Sequence, residues 1–228
     1  AFGKDQSPPL GLTVSAASTP AASGQTKEIY LEVSLEPKSA YVQQQLTYSV
    51  RLYRRVEIAS ASLSEPEFSD VECIVEKIGE DRNYDRVIDG RRYLIVERQY
   101  ALFPQQSGQL TTAPLRFSGQ LRQSQRSFFG PLTQQGPIRR ISSPTASVEI
   151  KPIPTAFTGS HWLTAESLEL AEQWSTEPTE LITGEPATRT LQFTARGLLA
   201  SQLPEFSPQE LTGFKLYPDQ PQLDNSYQ

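Results

Sequence analysis

At 228 residues, 37% apolar and 21% charged, the chain can build one large domain or two smaller ones and is too apolar to be wholly disordered. Its one cysteine and one histidine exclude an intrachain disulfide framework, multi-cysteine zinc sites and most histidine-based catalysis. A net charge of −5 argues against a nucleic-acid partner, and no apolar run approaches the roughly 18 residues of a membrane span.

In chain order, Ser7-Pro8 with Leu12 and Val14 reads as a closing strand, and the Ala-, Ser- and Thr-rich stretch 15–27 reads as a linker. Ile29, Leu31, Val33 and Leu35 alternate with polar residues and predict a half-buried strand. Leu46, Tyr48, Val50 and Leu52 predict a second, and Val71, Cys73 and Val75 a third. Val87-Ile88, Asp89-Gly90 and Tyr93-Leu94-Ile95-Val96 predict a hairpin closed by a type I′ turn, because Asp-Gly accepts two positive φ angles. Further strands are expected from Tyr100 to Pro104, from Leu110 to Phe117, and at Val148-Glu149-Ile150. The segment 120–142 reads as a long polar connection. Good helix formers lie at Thr164–Glu172, but Leu168-Glu169-Leu170 alternates as Leu31-Glu32-Val33 does, which favours a strand there.

That match belongs to a wider internal repeat. Glu36-Pro37 recurs as Glu177-Pro178, Pro66-Glu67-Phe68 as Pro204-Glu205-Phe206, and Asp81 with Tyr84 as Asp224 with Tyr227. Ser7-Pro8 recurs as Ser143-Pro144. The expected fold is therefore all-β, with tandem immunoglobulin-like antiparallel β-sandwich domains of which the last is truncated. Residues 1–14 would be the final strand of a preceding repeat, 15–27 a linker, 28–152 a complete domain of about seven strands, and 153–228 a partial second domain. Val33, Leu46, Val50, Cys73 and Ile95 are expected to be largely buried. On this reading the chain is a piece of a longer array.

The sequence holds no nucleophile elbow, phosphate-binding loop, dinucleotide fingerprint or zinc-protease motif. No catalytic residue, cofactor, metal or small-molecule substrate is expected. His161 beside Trp162 has no nucleophile motif around it, and Cys73 lies on the apolar phase of a strand. Asp81-Arg82-Asn83-Tyr84-Asp85 opens like a calcium loop, but Arg86 stands where the turn needs glycine and Arg92 where the bidentate glutamate belongs. Charge is placed unevenly. Arg98 to Val148 holds six arginines and no acid, whereas residues 155–228 hold ten acids against Arg189, Arg196 and Lys215. Within the basic stretch, Phe128 and Phe129 either tuck onto the sheet or form an apolar anchor ringed by Arg122, Arg126, Arg139 and Arg140. Such an anchor suits an acidic protein groove or the anionic headgroups of a membrane.

Several stretches resemble the BatD proteins of the bacterial aerotolerance operon. They are Ala40-Tyr41-Val42-Gln43-Gln44-Gln45 leading into Tyr48-Ser49-Val50-Arg51-Leu52-Tyr53, the run Tyr100-Ala101-Leu102-Phe103-Pro104-Gln105 with Ser107-Gly108, and Trp162-Leu163, Trp174 and Gly184-Glu185-Pro186. The resemblance spans most of 28–195. It implies a non-enzymatic, membrane-anchored scaffold on the periplasmic face of the inner membrane, with von Willebrand A-domain membrane proteins as partners. It carries over no catalytic residue. From another class, a carbohydrate-binding or carbohydrate-processing β-sandwich remains open; it would need an exposed aromatic platform beside clustered carboxylates.

Overall fold

Period-2 alternation dictates the strands of this all-β chain, whose computed structural model describes residues 27–127, 130–205 and 212–226. Thirteen strands form, and the only helical pieces among the described residues are 3-10 turns at Pro178–Glu180 and Ala200–Gln202. β1 (Ile29–Glu36), β3 (Leu46–Arg54), β7 (Arg91–Pro104) and β6 (Cys73–Ile88) make an antiparallel sheet in the order β1-β3-β7-β6. A second sheet runs β2 (Ser39–Tyr41), β11 (Ser147–Lys151), β8 (Gly108–Thr112), β5 (Phe68–Ser69), with β2 and β11 parallel. A third runs β10 (Gly130–Ser142), β9 (Arg116–Ser127), β4 (Ile58–Leu63).

One face of the first sheet contributes Leu31, Leu35, Leu46, Tyr48, Val50, Tyr100 and Leu102 to the main core. Ala40, Leu110, Val148 and Ile150 of the second sheet and Phe117 of the third pack against them, so the layers close like a sandwich. Leu46, Val50 and Ile95 are buried as expected, whereas Val33 and Cys73 are only half-buried. Val33 lies in β1 and Cys73 in β6, the two edge strands of their sheet, and each packs against the margin of the main core.

Two expectations about the strands need correcting. Eleven strands, instead of about seven, lie between 29 and 151, because short pieces such as β2 and β5 flank the longer ones. The stretch 120–142 is not a connection. It lies in the hairpin β9–β10, with Gly130 opposite Ser127 and a register shift between Gln135 and Ile138. The Asp89-Gly90 turn forms as read, with φ of 49° and 71° and Ile88 opposite Arg91.

The final paired element is a ribbon of β12 (Ser167–Trp174) and β13 (Arg189–Arg196). It reproduces the β1–β3 pair. Leu31↔Leu52 and Val33↔Val50 in the first pair become Leu168↔Ala195 and Leu170↔Phe193 in the ribbon. The apolar phase is thus kept, Leu168, Leu170 and Phe193 sharing one face as Leu31, Val33 and Val50 do. Leu168 and Leu170, whose counterparts face the main core, are 47% and 58% exposed.

Residues beyond 155 touch the end of β2 and the turn after it, and β7 of the first sheet. The Trp162 indole N–H donates to the Val42 carbonyl at 2.9 Å, and its ring meets Tyr41 edge-on. Leu199 is buried against Ala101 and Phe103, and the Gln202 amide donates to the Gln43 carbonyl at 3.1 Å.

Candidate functional site

The other face of the first sheet carries charge. Along β1, β3, β7 and β6, the residues that alternate with the core set fall into register rows across all four strands. One row reads Glu32, Arg51, Glu97, Arg82. Its neighbour on one side reads Tyr30, Tyr53, Ile95, Tyr84, and on the other Ser34, Ser49, Gln99, Ile78. The face therefore grades from aromatic through charged to polar, and Leu199 covers its far end at Phe103.

Arg51 is the hinge of the charged row. Its Nε donates to Glu97 Oε1 at 2.6 Å, and its Nη1 lies 3.4 Å from both Glu32 Oε1 and Ser34 Oγ. Glu97 is only 6% exposed, so its carboxylate depends on this guanidinium. Removing one partner of a buried pair costs about 3–5 kcal/mol, and somewhat less here because a quarter of the Arg51 side chain still meets solvent. Beside the pair, Tyr30 and Tyr53 stack at 4.5 Å and Tyr93 meets both edge-on. Burial, and then the Glu32 charge, holds the Tyr53 phenol above its ordinary value, so it stays a hydrogen-bonding hydroxyl. Burial first, with its tyrosine neighbours, pushes Tyr30 up to about 12.

Over this row lies an open cleft of about 690 Å³ whose lining includes Arg51, Tyr53, Arg82, Tyr84, Arg86 and Glu97. Arg82 and Arg86 are exposed and make no ion pair among the described residues. The chain matches no family model, no curated protein and no solved structure. The cleft's own chemistry is therefore what speaks to function. It offers fixed charge, two unengaged guanidinium groups and hydrogen-bonding side chains on a rigid four-stranded floor.

The residues singled out from the sequence lie elsewhere. Arg122 and Arg140 fall on one face of the β9–β10 hairpin and Arg139 on the other, as their partners Gln135, Ser118 and Gly119 show. All three are exposed. Phe128, Phe129 and the side chain of Arg126 lie outside the described residues. The calcium-like run is taken apart by ion pairs. Asp81 holds Arg98 through two bonds of 2.8 and 2.7 Å and Lys77 at 3.1 Å, and Asp85 holds Arg92 at 2.9 Å. Among the described residues no three His, Cys, Asp or Glu side chains converge as a metal site requires. Burial pushes the Cys73 thiol up to about 11, which keeps it protonated and unreactive at neutral pH. His161 is exposed beside the half-buried Trp162.

Sequence reading missed the charged row because alternation marks Glu32, Arg51 and Glu97 only as solvent-side residues. The signal that finds them is register. Only when four strands are aligned do four separate charges become one line.

Proposed function

We propose that this chain is a non-enzymatic scaffold of the BatD type, built of tandem immunoglobulin-like sandwiches and held at the periplasmic face of the inner membrane. Its open sheet face binds membrane proteins with von Willebrand A domains. The observation that carries the reading is the uncovered charged row, a buried Arg51–Glu97 pair beneath a cleft with two unengaged arginines. A face kept rigid and charged but left open is organised for a protein partner. The tandem arrangement draws support from the second strand pair, in which Leu168, Leu170 and Phe193 share one face as Leu31, Val33 and Val50 do in β1–β3. The carbohydrate alternative is disfavoured because Tyr53 is buried and already stacked on Tyr30, which takes the cleft's largest ring pair out of use as a sugar platform.

A photo-crosslinking residue in place of Tyr84, which lines the cleft, tests the reading in native membranes. The expected product is an adduct with an A-domain membrane protein, lost when Arg82 and Arg86 are both changed to glutamate. An adduct set without A-domain proteins, or one indifferent to that change, would overturn it.

A further inference from the structure

Five charged side chains line the cleft: Glu32, Arg51, Arg82, Arg86 and Glu97. Glu97 and Glu32 share the one Arg51 guanidinium and keep one negative charge between them, so the cleft is net +1 and its free positive charge is that of Arg82 and Arg86. Both sit on β6, four residues apart and on the same face, which places their backbones about 13 Å apart at 3.3 Å per residue. β6 is an edge strand, and edge strands commonly carry charge simply to deter pairing. These two arginines line the cleft over the sheet face, in the same rows as Glu97 and Tyr93.

We propose that the cleft receives an extended acidic segment of a partner protein, whose carboxylates at positions i and i+4 engage Arg82 and Arg86. This deepens the scaffold reading and rests on it. An extended peptide has the same rise per residue as β6, so two carboxylates four residues apart match the two guanidinium groups. A single small anion spans only one. Each guanidinium offers a planar fork suited to a carboxylate. Between them the floor is already set, because Glu97 holds Arg51 in place and binding need not reorganise it. Gln99, whose amide nitrogen donates to Ser49 Oγ, offers its amide oxygen to the peptide backbone. A polyuronate shares the negative charge, but the stacking surface sugars use is occupied by the Tyr30–Tyr53 pair.

The test uses the 228-residue chain and a fluorescein-labelled peptide, Thr-Glu-Val-Thr-Val-Glu-Thr, read by fluorescence polarisation. Binding should weaken by roughly tenfold, about 1.4 kcal/mol, in the Arg82→Gln/Arg86→Gln variant. It should also weaken when salt rises from about 50 to about 300 mM. A peptide with its two glutamates only two residues apart should bind more weakly, and one with lysines should not bind. The Arg139→Gln/Arg140→Gln variant, which removes equal charge from β10, should bind normally. Equal loss in both variants, or indifference to glutamate spacing, overturns the proposal in favour of diffuse attraction. Binding of trigalacturonate without the peptide overturns it in favour of a glycan. No peptide binding while the Tyr84-site adduct persists also overturns it, leaving the partner face standing with another ligand chemistry. Loss of that adduct as well removes both.

Discussion

Asp81 shows how one residue's environment decides its chemistry. Between Ile78 and Arg82 the register of β6 shifts, so residues 79–81 stand opposite Arg98 alone. Gly79, at a φ of 56°, takes the left-handed turn that this bulge needs. The extra residues swing Asp81 to Arg98, at the mouth of the core beside Val96 and Phe117. The hydrogen bonds from Arg98 hold the Asp81 carboxyl below its ordinary value. A depressed folded value means that the stabilisation is present above the unfolded carboxyl's pKa of about 3.9 and is lost as pH falls through the folded one. Asp81→Asn should therefore cost about 1–2 kcal/mol at pH 7. Urea melts of the two proteins should converge as pH falls to about 2–3, well below the unfolded value. A constant gap across that range would show that the carboxylate's charge plays no part. In the sequence the same aspartate opens an apparent calcium loop, because spacing alone does not reveal that a bulge has turned it toward an arginine.

At the scale of elements, the two long hairpins differ in how legible they are. β6–β7 is announced by Asp89-Gly90 and by the alternation of Tyr93, Ile95 and the residues after them. Gly90 needs its positive φ but has no atom within 4 Å of where a Cβ would sit. Gly90→Ala should thus cost about 1 kcal/mol from backbone strain alone, and Gly90→Asn less, since asparagine tolerates that region. Thermal melts of both variants check the order, and equal losses would point to a lost packing contact instead. β9–β10 is silent in the sequence for a physical reason. Beyond Leu121 its first strand reads Arg122-Gln123-Ser124-Gln125-Arg126, with no apolar phase for periodicity to detect. Pro137 also argues against a strand, yet it sits within the register shift of β10, an outer strand of its sheet, where a missing N–H is tolerated.

For the whole molecule, composition and alternation were enough for an all-β chain, and the match of Leu168-Glu169-Leu170 to Leu31-Glu32-Val33 pointed to the strand β12. The contacts binding residues 155–205 to β7 and to the turn after β2 were not legible. They use a tryptophan indole, a leucine and a glutamine amide, each on a loop or 3-10 turn, where no periodicity marks a partner. Leu199 is the apolar anchor among them, 5% exposed against Phe103 and Ala101. Leu199→Ala should remove about 2 kcal/mol of docking energy. Hydrogen exchange beyond residue 155 should then accelerate, while the amides of β3 and β7 keep their protection. Equal acceleration throughout would mean that the two regions unfold as one cooperative unit.

The parallel pairing of β2 with β11 gives this chain a mechanical property. Ser39, Ala40 and Tyr41 lie opposite Glu149, Ile150 and Lys151, and the Val42 N–H adds a bond to the Lys151 carbonyl. Tension drawn between residues 27 and 155 pulls these two strands in opposite directions along their own axes. Their hydrogen bonds are then loaded together in shear, whereas an antiparallel hairpin pulled from its open end unzips one bond at a time. A pull applied along the chain across this pairing would meet its stiffest resistance at this short clamp.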